Sequence, residues 1–384
     1  MISVMRITLY DPAAIVLTVA AAASGQIATF EGHPAITFGN DKLQLLVLKQ
    51  SASVASVVLR DDPEKLSPLW DPARMARELG RPVSFSSGTG QFLCVDGFGG
   101  VSAEERAAGL PGHGEAHLAE WESRLEEGRL TLTTRLPHTQ ERITRVMTIV
   151  PGENIAYSET TIESELDFDR PILWAEHATI GSPFLAPGVT VVDLPAVRSK
   201  TRLWEPGKSG LSHRLPSDVE FTWPMAPTVD GAKVNLRAAP IPRDYGDHTA
   251  SLVDPARKLV YVTAINPDKR LIVGWVFRPQ EYPWVQNWEN YPATGKLARG
   301  LEFSTQPFDL PRRTVVTQNN LWGTLLYRWL PARSKVSTKF AMFFARCPDG
   351  MIRVDDVRKE GGFLVIEDRA AGRSLRLRMS EALD

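Results

Sequence analysis

The chain is poor in cysteine, carries no excess charge of either sign and lacks long apolar runs. Cys94 and Cys347 are its only two cysteines in 384 residues and lie in unrelated contexts. No disulfide framework or cysteine-based metal spacing exists, and two free structural thiols are expected. Lys plus Arg number 44 and Asp plus Glu 45, a formal charge of −1. No basic stripe is interleaved with aromatics, so nucleic acid is not an expected partner. There is no GxSxG elbow, no GxxxxGK[ST] phosphate loop and no HExxH motif. The chemistry expected is therefore free of cofactor and metal. The longest apolar run, Ala13 to Ala23, is too short to span a bilayer. Met5-Arg6 precede it and Ser24-Gly25-Gln26 follow it, which resembles a secretory signal peptide. Residues 1–26 are read as that signal, with export to the periplasm or outside the cell and no membrane span in the mature chain. Without such a signal the chain is cytoplasmic. Residues 27–384 are read as one domain.

What is present is strand signal. Ala35-Ile-Thr-Phe, Leu43-Gln-Leu-Leu-Val-Leu and Ala55-Ser-Val-Val-Leu-Arg are apolar runs separated by Asn-Asp and Asp-Asp turns. Between prolines, 73–79 is a short helical candidate. Seven glycines fall within 86–112, which predicts a long loop lying over a site. From 121 onward short runs recur at even spacing: 121–125, 130–136, 143–150, 155–162 and 172–180. Residues 186–250 read as irregular, with strand fragments at 189–192, 221–223 and 234–236. Strand signals resume at 259–265, 271–276, 301–303, 324–329 and 339–344, and again in the last forty residues, as extra strands or an edge appendage. This pattern predicts an all-β architecture, a large antiparallel β-sandwich with few short helices.

The stretch Arg299-Gly-Leu-Glu-Phe-Ser-Thr-Gln-Pro-Phe-Asp-Leu310 is the most informative. Alternation along a strand sends Leu301 and Phe303 to one face and Glu302, Ser304 and Gln306 to the other. A carboxyl among neutral polar groups in a half-enclosed sheet face loses hydration, and its pKa rises toward the range of a general base. Just upstream, Tyr282, Trp284, Trp288 and Tyr291 are interleaved with Gln286, Asn287 and Asn290. Rings beside amides suit a sugar: C–H faces stack on the rings and hydroxyls bond the amides. Two histidine contexts add titratable groups. Gly112-His113-Gly114-Glu-Ala-His117 lets backbone approach a ligand closely, and a strand ends at Trp174-Ala-Glu-His177-Ala-Thr-Ile-Gly-Ser-Pro. A histidine there is a natural general acid.

His113, His177 and Glu302, in that order and spacing, resemble the aldose 1-epimerases, or galactose mutarotases, over about residues 35–345. The resemblance implies a large antiparallel β supersandwich with an open cleft. It also implies Glu302 as base, His177 as acid, His113 as a sugar-orienting group, and a small-molecule sugar or oligosaccharide as partner. The two catalytic groups are expected to face each other across a bound pyranose, a ring's width apart. Trp284 and Trp288 are candidate stacking residues. Asp244 and Asp247 are candidates for the family's substrate-binding aspartate. The sequence departs from the family in two respects: Phe92–Phe98, before the first histidine, contains no arginine, and neither Asp244 nor Asp247 sits in a clear family motif. A carbohydrate-binding protein without turnover is the alternative, and a polysaccharide lyase or hydrolase on a similar sandwich a weaker third.

Overall fold

A computed structural model describes residues 24–83, 88–204, 212–240 and 244–383. All but the last three residues of the expected signal peptide lie outside the described residues; Ser24–Phe30 is a strand. Among the described residues, no helix is long and apolar enough to cross a membrane.

Two large antiparallel sheets dominate. The first has eleven strands, and its central members run in the order Gln91–Val95, Trp174–Gly181, Ala298–Ser304, Trp284–Tyr291 and Tyr245–Val253. The second has eight strands, centred on Leu271–Phe277, Lys335–Arg346 and Ile155–Ser164. Facing residues of both sheets fill one apolar core: Leu93, Ala178, Ile180, Leu301 and Phe303 from the first, Ile143, Met147, Val273, Trp275 and Phe277 from the second. The expected β-sandwich is therefore what forms, because each half-apolar strand buries its face against the other layer. A buried ion pair crosses the core. Arg145 of the second sheet bonds Glu176 of the first, and Gln91 donates to the other Glu176 oxygen at 3.1 Å.

The N-terminal strands fall where the apolar runs predict, at His33–Gly39, Leu43–Leu48 and Val54–Leu59. The helical candidate forms at Pro72–Glu78, capped by Asp71, whose side chain accepts from the Arg74 amide at 2.9 Å. Three segments differ from the sequence reading. The glycine-rich stretch is not all loop: it contains the sheet strand Gln91–Val95 and the helix Ala103–Ala107. Residues 186–250, read as irregular, contribute Ala196–Thr201 and Tyr245–Val253 to the large sheet. Tyr-Gly-Asp-His-Thr-Ala-Ser shows no apolar alternation because polar groups occupy both of its buried faces. The 324–329 run is broken into Thr324–Leu325 and Arg328–Leu330. At the C-terminus, Asp356–Glu360, Phe363–Asp368 and Arg373–Arg378 form a separate three-stranded sheet. Its Val357, Leu364, Ile366 and Leu377 pack on Ile265, Ile272, Val276 and Phe343, on the outer side of the eight-stranded sheet.

Candidate functional site

Strand register builds the site. Where Trp174–Gly181 pairs with Ala298–Ser304, Glu176 lies opposite Phe303 and Thr179 opposite Gly300. His177 therefore falls across from Glu302. On its other side His177 is paired with Phe92, and Glu302 is in turn paired with Gln286. Phe92, His177, Glu302 and Gln286 thus form a row across four adjacent strands, on the face turned away from the core. The next row along is Thr179, Gly300, Trp288 and His248. Alternation sends Glu176, Leu301 and Phe303 inward and His177 and Glu302 outward; for Leu301, Phe303 and Glu302 this is what the sequence predicts.

This face floors a cavity of about 570 Å³, lined by Trp70, Phe92, Phe98, His113, His117, His177, His248, Trp288, Glu302 and Asp309, with Gly88, Gly99 and Gly100 at its edge. Trp70 and Trp288 meet edge to face, 6.2 Å between ring centres. Trp70 rests on Gly181, where a Cβ would stand 2.9 Å from its ring. Phe92 stacks on the His177 ring at 4.3 Å and 18°.

His177 Nε2 lies 3.2 Å from Glu302 Oε1, and His177 Nδ1 lies 3.1 Å from the Thr179 hydroxyl. The expected pair therefore converges, but in direct contact rather than a ring's width apart, because the two residues are neighbours across one strand pair. Burial pushes the Glu302 carboxyl well above the ordinary carboxylate range, and the charge of Asp309 adds to this. Burial holds His177 well below the ordinary imidazole value, helped by the neighbouring His113. Both effects favour the uncharged pair.

His113 is placed by glycine geometry. It adopts a left-handed φ of 63° between Gly112 and Gly114, whose φ is 76°. A Cβ on Gly114 would stand 1.9 Å from the Val95 carbonyl, so only glycine permits this approach. The His113 amide donates to the Gly99 carbonyl at 3.0 Å, and the Gly99 amide donates back to His113 Nδ1 at 3.2 Å. Accepting at Nδ1 leaves the proton of the neutral ring on Nε2, as a donor. The Gly97-Phe-Gly-Gly100 cluster is thus half of the clasp that orients His113. Burial lowers the pKa of His113 and brings His117 down to about 4, with His113 contributing to the latter. Among the described residues no group of three or more His, Cys, Asp or Glu side chains is arranged to hold a metal ion. Both cysteines are free and buried, Cys94 beneath His113 with its sulfur 3.6 Å from Nδ1.

The remaining predicted residues divide. Trp288 lines the cavity. Trp284 does not: it is fully buried with Leu252, Phe308, Val315 and Leu326, its ring 5.5 Å from that of Trp322. Tyr282 packs in the core against Phe303, and Tyr291 is buried as well. Asp247 is on the opposite face of its strand from His248. It accepts from Arg214 Nε at 2.7 Å and from the Arg214 and Leu215 amides, so it is a structural anchor. Asp244 is a turn residue with a φ of 60° that accepts from the Ala293 amide at 2.7 Å. Neither aspartate lines the cavity.

The aspartate that does is Asp309, which the sequence reading passed over together with His248. His248 Nδ1 lies 3.2 Å from Asp309 Oδ1, and Nε2 lies 3.0 Å from Gln286 Oε1. Arg202 Nε donates to the same Asp309 oxygen at 2.6 Å. Burial alone would raise the Asp309 pKa, but His248 and then Arg202 outweigh it and bring it to about 2.

No protein-family model matches the sequence, and no curated protein sequence does either. Solved structures share its architecture. A candidate aldose 1-epimerase from Klebsiella pneumoniae subsp. pneumoniae MGH 78578 aligns with a TM-score of 0.58 at 14% identity, over 84% of this chain and 83% of that one. A galactose mutarotase related enzyme from Lactobacillus acidophilus gives 0.55 at 12% identity, over 83% and 100%. A galactose mutarotase-like protein from Lactobacillus casei ATCC 334 gives 0.55 at 12%, over 81% and 100%. The fold is that of the aldose 1-epimerase and galactose mutarotase-like proteins.

Proposed function

We propose that this protein interconverts the anomers of a free aldose, with Glu302 and His177 as its acid–base pair. The observation that carries the reading is their 3.2 Å contact on the floor of an aromatic-walled cavity. Mutarotation moves one proton off the anomeric hydroxyl and another onto the ring oxygen. Those two oxygens share a carbon and are closer together than a hydrogen bond is long. An adjacent acid and base therefore suit the chemistry better than a pair on opposite sides of the ring.

The pair holds one mobile proton. Among protein groups alone burial keeps it on Glu302. Hydroxyls of a bound sugar solvate the carboxylate, and transfer of the proton to Nε2 produces the reactive form. Glu302 then takes the anomeric proton while His177 protonates the ring oxygen. The C1–O5 bond breaks and the C1 carbonyl forms. Rotation about C1–C2 and closure with the roles exchanged gives the other anomer and restores the pair. Each positioned group contributes on the order of 10²–10⁴ in rate. His113 Nε2–H donates to a sugar hydroxyl, and Trp288 offers a ring face.

Polarimetry and saturation-transfer NMR on free aldoses, beginning with D-galactose and D-glucose, test this. Glu302→Gln and His177→Asn are expected to abolish accelerated exchange while the unfolding transition stays in place. Wild-type exchange no faster than buffer overturns the enzymatic reading. If calorimetry then detects sugar binding, the chain is a carbohydrate-binding protein on this fold.

A further inference from the structure

We propose that Asp309, clamped by His248 and Arg202, is the hydroxyl acceptor that fixes the orientation of the sugar over the His177–Glu302 pair. The inference rests on the cavity being a sugar site, as argued above, and adds a residue that neither the motifs nor the expected aspartates supply.

Asp309 lies on the cavity wall after the Pro307 turn that follows the Glu302 strand. One of its oxygens is fully engaged. Oδ1 receives Arg202 Nε at 2.6 Å and faces His248 Nδ1 at 3.2 Å, and Arg202 also bonds the Asp309 carbonyl at 3.1 Å. His248 is itself fixed from behind. Gln286 spends its amide N–H groups on the Ser304 hydroxyl at 3.2 Å and the Gln306 carbonyl at 2.9 Å, so its oxygen is left to accept from His248 Nε2. Both nitrogens of His248 therefore face side-chain oxygens, Asp309 Oδ1 on one side and Gln286 Oε1 on the other, and these two contacts hold the ring in place. Oδ2 takes neither contact. It lies against the bare Cα of Gly99, where an added Cβ would stand 2.6 Å from it. A side chain on Gly99 would fill that approach.

The arrangement presents a charged acceptor with one oxygen engaged and the other outside both contacts, on a side chain held by Arg202 and His248. Sugar hydroxyls are donors, and a hydrogen bond to an ionised acceptor is among the stronger ones available. Gly99 links this wall to the other side of the cavity, since its backbone also clasps His113. An acceptor at Asp309 and a donor at His113 would then hold two hydroxyls of one ring, with the anomeric carbon left over Glu302. The charge also acts at a distance, because Asp309 contributes to the raised pKa of Glu302.

The test uses the full chain with Asp309→Asn, near-isosteric and uncharged, and Arg202→Gln, which removes the outer clamp. Sugar affinity is read by calorimetry and exchange by NMR, with the same aldose panel. Asp309→Asn is expected to weaken binding roughly tenfold to a hundredfold, the scale of a lost charged hydrogen bond. It is also expected to shift the alkaline limb of the exchange profile to lower pH, which a merely structural residue would not do. Arg202→Gln is expected to weaken binding less, and it serves as the reading if Asp309→Asn unfolds. Affinity within twofold of wild type in the folded variants, with an unmoved limb, overturns the proposal. A wild type that binds sugar without exchanging it, and whose Asp309→Asn variant loses that binding, sinks the epimerase reading and keeps Asp309 as the anchor. A wild type that binds no aldose overturns both.

Discussion

The carboxyl of Glu302 lies folded over Gly300: a Cβ built on that glycine would stand 2.2 Å from Oε1 and 2.8 Å from Cδ. The two residues point to the same face of one strand, and the missing side chain at 300 is the space that the carboxyl uses. Gly300→Ala is therefore expected to spare the sheet and displace the acid. A flexible carboxyl end gives way more easily than a backbone, so the unfolding temperature should move by only a few degrees. A misplacement of about 1 Å in a reacting group costs on the order of 10² in rate. NMR exchange beside thermal unfolding checks both halves. A variant with full activity would mean that Glu302 works from another position.

Much of this site was legible because side-chain alternation carries it. Glu302 is separated from Leu301 and Phe303 by parity alone, and the glycines around His113 signalled a close backbone approach. Parity does not report what covers a face. Trp284 and Trp288 sit on the same side of one strand, yet Trp322 and Leu326 close over Trp284 and leave Trp288 at the cavity. Asp247 and His248 failed for the opposite reason. Their strand was not recognised, so nothing said that Asp247 turns away while His248 turns toward the site. Asp309 had no local signal at all: Arg202, which holds its carboxylate, lies more than a hundred residues earlier.

The pH dependence follows from the shared proton. His177 lies below the ordinary imidazole value of about 6.5, so a second proton enters the pair only in more acid solution. Glu302 lies well above the ordinary carboxylate range, so the shared proton is lost only on the alkaline side. Exchange, corrected for the buffer-catalysed rate, should thus be flat near neutrality and fall at both ends. The acid limb belongs below pH ~6.5. An acid limb centred above that value would contradict the assignment of the pair.

Stability should hinge on the ion pair inside the sandwich. Arg145 and Glu176 are both fully buried, and Arg145 also donates to the Thr160 hydroxyl at 3.0 Å. Removing one partner strands the other charge in a low-dielectric core. Arg145→Met alone should cost about 3–5 kcal/mol in chemical denaturation, whereas Arg145→Met with Glu176→Gln should recover part of that loss. A single variant as stable as wild type would show that Glu176 already sheds its charge at neutral pH. That outcome is physically reasonable to test, because burial raises the Glu176 pKa even against the opposing effect of Arg145.

Gly114 offers the sharpest separation between building the site and operating it. Its Cα is pressed against the Val95 carbonyl, and its φ of 76° disfavours any side chain. Gly114→Ala must move backbone rather than a side-chain tip, so a cost of about 2–4 kcal/mol is expected. The same shift should carry His113 off its clasp with Gly99 and weaken sugar affinity. His113→Gln leaves that backbone alone, so it should weaken affinity with little change in the unfolding midpoint. Measuring both variants by denaturation and calorimetry distinguishes the two effects. If Gly114→Ala loses stability but keeps full sugar affinity, His113 does not orient the sugar, and the clasp serves only to close the loop onto the sheet.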